Sequence, residues 1–253
     1  MEKHRDLNAN LVGRAYAEAS LRHKKPKDAD RAARQELHRV AGAYFGTDAG
    51  KRAMKLVDAW PEGGDEALAR ILSLHNSTRE RLPLAETDAM YRRIFEVAGR
   101  PSRVLDVACG LNPIYLAARG VPVLGVDAHL GAVELINRFA GKNALDARAE
   151  GIDLLTDPLP EGRFPLALLL KLLPLLGDAG YALLEKVDAG YSLLQKINAE
   201  YVAVSFPTRT LSGRNVGMER HHGQGFEENC PDRFEILDRF VSRSELIYIL
   251  KER

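Results

Sequence analysis

Val104-Leu-Asp-Val-Ala-Cys-Gly-Leu-Asn-Pro113 reads as a buried strand that runs into a tight turn and a helix. Its opening run is apolar and rich in β-branched residues, the composition of a parallel strand covered on both faces. Cys109-Gly110 supplies the turn, Asn112 is placed to cap the helix, and Pro113 suits its first position, where a missing amide proton costs nothing. A second strand, Val121-Pro-Val-Leu-Gly-Val-Asp127, ends in a carboxylate about twenty residues after the first. At that spacing an acid meets a pair of ribose hydroxyls in nucleotide-binding folds. A strand-turn-helix without a ligand fits the first motif too, but packing alone does not call for an acid closing two successive strands.

Outward from this corner, strands are expected at 103–108, 121–127, 147–153, 165–171, 199–206, 233–240 and 245–251, and helices at 113–119, 129–140, 178–197 and 215–222. Such alternation implies a doubly wound sheet with right-handed crossovers. The last two strands are joined only by Val241 to Ser244, which suits an antiparallel hairpin at one edge. A seven-stranded, mainly parallel α/β sheet ending in such a hairpin is the Rossmann-like shape of S-adenosylmethionine-dependent methyltransferases. Before it, from Leu7 to about Glu80, apolar positions such as Leu37, Val40, Ala41 and Tyr44 recur at helical spacing. Breaks fall at Lys24 to Lys27, Gly46 to Gly50 and Pro61 to Gly64. The organisation expected is a helical domain over 1–80 and a methyltransferase domain over 81–253.

The 253 residues are 45% hydrophobic and 28% charged, enough for one substantial core and a smaller helical unit. A net charge of +1 hides an asymmetry, because residues 1–60 carry 13 Lys and Arg against 8 Asp and Glu. A localised basic surface suits a polyanionic partner better than a small metabolite, although a solvated helical face would also be basic. Cys109 and Cys230 form no spaced pair, so a reducing cytoplasm is expected, and no run is long and apolar enough to span a bilayer. His38 is expected near the helical core, and His221-His222 has no metal partners spaced around it, so no metal site is expected.

A dinucleotide fold brings its backbone against a pyrophosphate with three glycines, G-x-G-x-x-G. Here Gly110 stands alone, and Pro113 offers no amide proton to a phosphate. S-adenosylmethionine has no phosphate, so one glycine suffices to seat its methionine part. On that reading Asp127 holds the ribose hydroxyls, beside Ala128. Asp153, with Leu154, either receives the adenine amino group or orients the backbone around that ring. Asp106 sits behind the amino end of the cofactor, with Ala108 beside the turn. Three acids at the carboxyl ends of three consecutive strands fall where open α/β sheets bind ligands.

Beyond this corner the chain becomes more distinctive. Lys171-Leu-Leu-Pro-Leu-Leu176, Val204-Ser-Phe-Pro-Thr-Arg-Thr-Leu-Ser-Gly-Arg-Asn-Val-Gly-Met-Glu219 and Glu245-Leu-Ile-Tyr-Ile-Leu-Lys251 resemble the aminoglycoside-resistance 16S ribosomal RNA methyltransferases that modify ring nitrogen 7 of guanine 1405. His75-Asn-Ser-Thr-Arg-Glu-Arg81, Arg22-His23 and Ala32-Ala-Arg-Gln-Glu-Leu-His-Arg-Val-Ala-Gly-Ala-Tyr-Phe45 add to the resemblance, which runs from about Leu7 to Arg253.

The resemblance implies that His75, Ser77, Arg81 and Lys171 join the cofactor residues, with Arg81 meeting the carboxylate of the methionine end. Arg79 could fill that role two residues earlier. It also implies that Arg209, Arg214 and Met218, with Phe206 or Met218 as an apolar face, position the extruded base. His23, Lys24, Lys25, Lys27, Arg31, Arg34 and Arg39 would dock on the rRNA backbone. The Asn/Asp-Pro-Pro-aromatic motif of amine-methylating enzymes is absent after the fourth strand. That agrees with a ring nitrogen whose lone pair is already free, so no general base is assigned. Two features depart from the family: a further helix usual ahead of Leu7 is missing, and Arg220-His-His-Gly-Gln-Gly-Phe226 lacks an expected tyrosine.

The function expected is methylation of guanine 1405 in the assembled 30S subunit by a cytoplasmic monomer without membrane partners, yielding S-adenosylhomocysteine and aminoglycoside resistance. The alternatives are a different rRNA or tRNA purine, such as adenine 1408, and a ribosome-binding factor without catalysis. A dehydrogenase is disfavoured by the glycine pattern.

Overall fold

A computed structural model describes residues 5–42, 49–177, 189–208, 218–243 and 245–253. The chain opens with helices α1 (Ala9–Arg22) and α2 (Pro26–Leu37), a π-helical turn at His38–Gly42, then α3 (Ala49–Ala59), α4 (Gly64–Leu72), α5 (Asn76–Arg79) and α6 (Leu84–Ala98). Alternation follows: β1 (Val104–Val107), α7 (Asn112–Ala118), β2 (Val123–Asp127), α8 (Leu130–Lys142), β3 (Ala147–Gly151) and β4 (Phe164–Leu170). The remainder is α9 (Leu173–Gly177), α10 (Ala189–Lys196), β5 (Ala199–Pro207), α11 (Met218–Asn229), β6 (Phe234–Ser242) and β7 (Glu245–Glu252).

All seven strands lie within a few residues of their expected places, in one sheet ordered β3-β2-β1-β4-β5-β7-β6. The pairs β1–β4 and β4–β5 are parallel, whereas β7 runs antiparallel to both β5 and β6. The terminal hairpin therefore inserts its second strand next to β5 and leaves β6 at the edge. Its turn is tight: Ser242 pairs with Glu245, and Arg243 takes a positive φ of 48°. Burial follows position, with β4 covered almost throughout and β6 alternating between covered and open residues.

Three local expectations need correction. The helix after β1 starts at Asn112, not Pro113, because the Asn112 amide bonds to the Cys109 carbonyl at 3.0 Å and draws the residue into the first turn. Asn112 is buried and is not the cap. Strand β3 stops at Gly151, before Asp153, because the Asp153 carbonyl receives the amides of Thr156 (3.1 Å) and Asp157 (2.8 Å) and turns the chain. The helix expected at 215–222 begins, in the described residues, at Met218 and runs on to Asn229. Of the helix expected at 178–197, residues 178–188 lie outside the described residues and Ala189–Lys196 is helical.

The chain divides into two compact units. The first combines Met1–Arg79, Cys109–Gly120 and Gly125–Leu159; the second combines Glu80–Ala108, Val121–Leu124 and Pro160–Arg253. In the first unit α1 and α2 pack through stripes of residues four apart. Leu11, Ala15 and Ala19 face Ala29, Ala33 and Leu37, and the small side chains let the backbones approach. Asn8 caps α1, its side-chain oxygen accepting the amides of Asn10 and Leu11. Farther along, Trp60 lies 4.7 Å from the Phe139 ring, and Asp58 accepts both arms of Arg138 at 2.7 Å. The second unit is built on β4, β5 and β7, with a ring cluster of Phe206, Phe226 and Tyr248. Among the described residues no helix is long and apolar enough to cross a membrane, and no cluster of metal-binding side chains occurs.

Candidate active site

In the first unit the cofactor corner is a set of backbone amides aimed at one carboxylate. Asp127 ends β2, where its Oδ2 accepts the Gly110 amide and its Oδ1 the His129 amide, both at 2.8 Å. Gly110 turns the chain at φ +52°. Burial pushes the Asp127 carboxyl above its usual 3.8, against the pull of the amides of His129, Gly110 and Ala128. A carboxylate has about four acceptor positions. The Gly110 and His129 bonds use two of those on Asp127, and the residue is half-buried, so acceptor capacity remains for a ligand hydroxyl.

His75 lies over the turn. A Cβ added at Gly110 would come within 2.5 Å of the His75 ring, which is itself buried and held by Ser77 at 2.8 Å. This contact had no local signal in the sequence, since His75 stands before the strand and Gly110 after it. Gly110→Ala is therefore expected to destabilise the protein by about 1–3 kcal/mol, by crowding and by the unfavourable φ together. Denaturant titration checks this; a variant as stable as the parent would show that His75 moves aside freely. Cys109 packs in the turn, and Gly125 leaves room for its sulfur: a Cβ there would meet Sγ at 2.7 Å.

Asp153 is differently placed. Its Oδ2 accepts Arg14 Nε (2.8 Å) and the Thr156 hydroxyl (3.1 Å), while Oδ1 accepts Arg14 Nη2 (3.0 Å) and the Leu155 amide (3.4 Å). Its acceptor positions are thus full. Of the two roles open for this residue, orienting the backbone around the adenine ring is the one the geometry favours. Leu154 follows, half-buried. Asp157 supports the same turn by accepting the Asp153 amide at 2.8 Å, and that bond is the largest of the causes holding its carboxyl below the usual range.

The second unit holds the remaining cofactor candidates. Asp106 is buried in β1, and the chain then enters Ala108 at φ +54°; Lys171, just after β4, sits at φ +59°. Two non-glycine residues in this sparsely populated region, each just after a central strand, mark backbone held in place by its surroundings. For Lys171 the hold is visible: its amide donates to both the carbonyl and the hydroxyl of Ser205, each at 3.0 Å.

Arg81, expected to meet the cofactor's carboxylate, is 5% exposed and engages Glu245 through Nε (2.7 Å) and Nη2 (3.2 Å). Glu245 also accepts the Ser205 hydroxyl at 2.6 Å and lies 3.3 Å from Lys171 Nζ, which pairs with Glu80 as well. Burial would raise the Glu245 carboxyl, but Arg81 and Lys171 outweigh it and hold it at about 2. Arg79, the other candidate, is exposed and bonded to Asn76. Glu245, Ser205 and Glu80 are the partners of these candidates, and reading the sequence for roles did not single them out. The one available signal was an acid at the head of the apolar strand Leu246–Leu250.

Of the base-positioning residues, Arg209 and Arg214 lie outside the described residues, and Met218 opens α11. Phe206 is a correction. It is 4% exposed and packs between Phe226, at 5.1 Å, and Tyr248, at 6.1 Å, so neither ring face is open to a base. Among the docking candidates His23, Lys24, Lys25 and Lys27 are exposed around the α1–α2 turn. Arg31 and Arg34 are exposed on α2 but pair with Asp28 and Asp30, and half-buried Arg39 pairs with Glu36. His38 is exposed in the π-helical turn, not near the core; it stands four residues after exposed Arg34, while Leu37 and Val40 on either side carry the stripe that packs with α1.

Comparison with known proteins matches residues 4–249 to the family described as Ribosomal RNA methyltransferase (FmrO). The chain is 42% identical to a 16S rRNA (guanine(1405)-N(7))-methyltransferase of Serratia marcescens, over 99% of this chain and 94% of that protein. It is 32% identical to one of Frankia casuarinae, over 86% of this chain and 78% of that protein. Among solved structures it is similar to the 16S rRNA methyltransferase RmtF in complex with S-adenosyl-L-homocysteine, with a TM-score of 0.88 and 43% identity over 98% of this chain and 93% of that one. The 16S rRNA methylase RmtB gives a TM-score of 0.83 and 38% identity, covering 100% and 94% of the two chains.

Proposed function

Because the chain belongs to the FmrO family of ribosomal RNA methyltransferases, we infer that it methylates ring nitrogen 7 of guanine 1405 in 16S rRNA, using S-adenosylmethionine. The observation that carries this reading is the 42% identity to a guanine-1405 enzyme across 99% of the chain. The fit of the residues to the cofactor supports it. A lone glycine at the turn, a proline in place of a phosphate-facing amide, and an Asp127 carboxylate with acceptor positions to spare suit a nucleoside without a pyrophosphate.

Asp127 would hold the ribose hydroxyls, and the turn from Asp153 with Leu154 would border the adenine, beside Ala128. For the methionine part the proposed residues are His75, Ser77 and Gly110 in the first unit, and Ala108, Asp106, Arg81 and Lys171 in the second. When bound, the cofactor supplies an electrophilic methyl group on a sulfonium sulfur. Ring nitrogen 7 of guanine would take that methyl group on its own free lone pair, and the sulfur would keep the electron pair of the broken C–S bond as the neutral thioether. No proton has to be removed before attack, so the protein's task is alignment of nucleophile, methyl carbon and leaving sulfur.

Arg209, Arg214 and Met218 would hold the extruded base and its flanking phosphates. His23, Lys24, Lys25, Lys27, Arg31, Arg34 and Arg39 would dock on rRNA backbone, as sequence-independent phosphate contacts. The assembled 30S subunit, a monomeric enzyme, a cytoplasmic setting and protection against aminoglycosides complete the proposal. Transfer of labelled methyl from S-adenosylmethionine to purified 30S subunits, compared with naked 16S RNA, tests it. Incorporation into 30S and little into naked RNA is the expected result; equal labelling of naked RNA would remove the 30S requirement.

A further inference from the structure

The geometry points to Arg14, on the first helix, as a positioning residue for the adenosine half of the cofactor site, acting through Asp153. This rests on the reading of Asp127, Ala128, Asp153 and Leu154 as that half. All the contacts involved lie within the first compact unit.

Helix α1 is anchored to the carboxyl ends of β2 and β3 at several points. The Asn8 amide donates to the Ala128 carbonyl at 2.8 Å, and the Leu130 amide donates to the Asp6 carbonyl at 2.7 Å. The Asn8 side-chain amide reaches the Gly151 carbonyl at 3.0 Å and Asp157 Oδ2 at 3.3 Å, and Asn10 bonds the other oxygen of Asp157. Ala128 itself packs against the Leu11, Ala15 and Leu37 cluster. One turn into the helix, Arg14 grips Asp153 with two parallel bonds at 2.8 and 3.0 Å. The two side chains are 13% and 4% exposed.

An arginine fork on a carboxylate fixes angle as well as distance. With its remaining acceptor positions on Leu155 and Thr156, Asp153 cannot swing toward a ligand; it transmits the position of α1 to the 151–157 turn. Without Arg14, two acceptor positions on a buried carboxylate lose their partners, and the carboxylate turns to recover them. The turn that borders the adenine then loses its fixed shape. The basic front segment thus also supports the cofactor wall: Asn8, Asn10 and Arg14, at the start of α1, face the strand ends, while His23 to Lys27, around the turn that follows α1, are exposed.

The test is calorimetric titration of the full chain with S-adenosylhomocysteine and with 5′-methylthioadenosine, which lacks the amino-acid part. The variants are Arg14→Gln, Arg14→Lys and Asp127→Asn, each with a thermal unfolding curve in the absence of ligand. Arg14→Gln is expected to weaken both ligands by the same factor, about tenfold, the size of one charge-assisted hydrogen bond. KM for S-adenosylmethionine should rise in parallel, with kcat on 30S subunits held within about twofold. Arg14→Lys keeps the charge with one contact instead of two and should fall between Arg14→Gln and the parent; it also decides the matter should Arg14→Gln fail to fold. Unchanged affinity in the Arg14 variants with weakened affinity in Asp127→Asn would overturn the role of Arg14. So would a lowered unfolding midpoint with ligand affinity intact, since Arg14 would then serve the fold alone. Unchanged affinity in Asp127→Asn would instead overturn the reading of the adenosine half itself.

Discussion

Glu245→Ala is expected to destabilise the protein by about 3–5 kcal/mol, the cost of breaking a buried ion pair by removing one partner. Arg81 is 5% exposed and gives both its bonds in this pair to Glu245. Lys171 and the Ser205 hydroxyl lose an acceptor at the same stroke. Glu245→Gln should be milder but not neutral, because its amide keeps one oxygen for Ser205 or Arg81 and turns a donor toward the other. Acid unfolding gives a second readout. The carboxyl is held at about 2 against an ordinary 4.5, so its stabilising effect is complete above pH 4.5 and is lost as pH falls from there through 2. Glu245→Ala removes that part of the pH dependence. Denaturant midpoints across this range check both points; an alanine variant within about 1 kcal/mol of the parent would mean that water reaches Arg81 readily.

Asp127→Asn is expected to weaken S-adenosylhomocysteine by about 10²–10³-fold, the worth of two hydrogen bonds to a charged acceptor. The substitution is not conservative here. Two backbone amides, from Gly110 and His129, point at the two carboxylate oxygens, and an asparagine offers them one oxygen and one opposing donor. The side chain must then rotate away from the turn, or leave a buried amide unpaired. A pH effect follows from the raised carboxyl of Asp127. In the role proposed for Asp127 the ionised form accepts the ribose hydroxyls, so cofactor affinity should be full above the folded pKa and decline as pH drops through it, starting above the ordinary 3.8. Asp127→Asn should flatten that decline. Titration at several pH values tests it, and a parent whose affinity stays constant down to pH 3.8 would exclude Asp127 as the acceptor.

What could be read from the sequence was local. The turn at Gly110, the acid ending β2 and the short link between β6 and β7 each leave a mark within a few residues, because turn chemistry and strand periodicity act over that range. The couplings that tune the site are not local. Arg81 and Glu245 stand 164 positions apart, and Arg14 and Asp153 stand 139 apart, so neither pair could be matched without the fold. Phe206 misleads for a related reason. An aromatic at the end of a strand, just before a polar loop, resembles an exposed platform, yet β5 is covered by β4 and β7 along its edges and by Phe226 above the ring. His38 shows the opposite error: it directly follows the buried stripe Ala29, Ala33 and Leu37, yet it stands four residues after exposed Arg34 and so lies on the outer face.

The target base is tested most directly by mass spectrometry of 16S rRNA from cells expressing the protein, with the modified nucleotide mapped by position. The predicted result is a single added methyl group on guanine 1405, at ring nitrogen 7. Methylation at adenine 1408, or unmodified 16S rRNA at full expression, would contradict it.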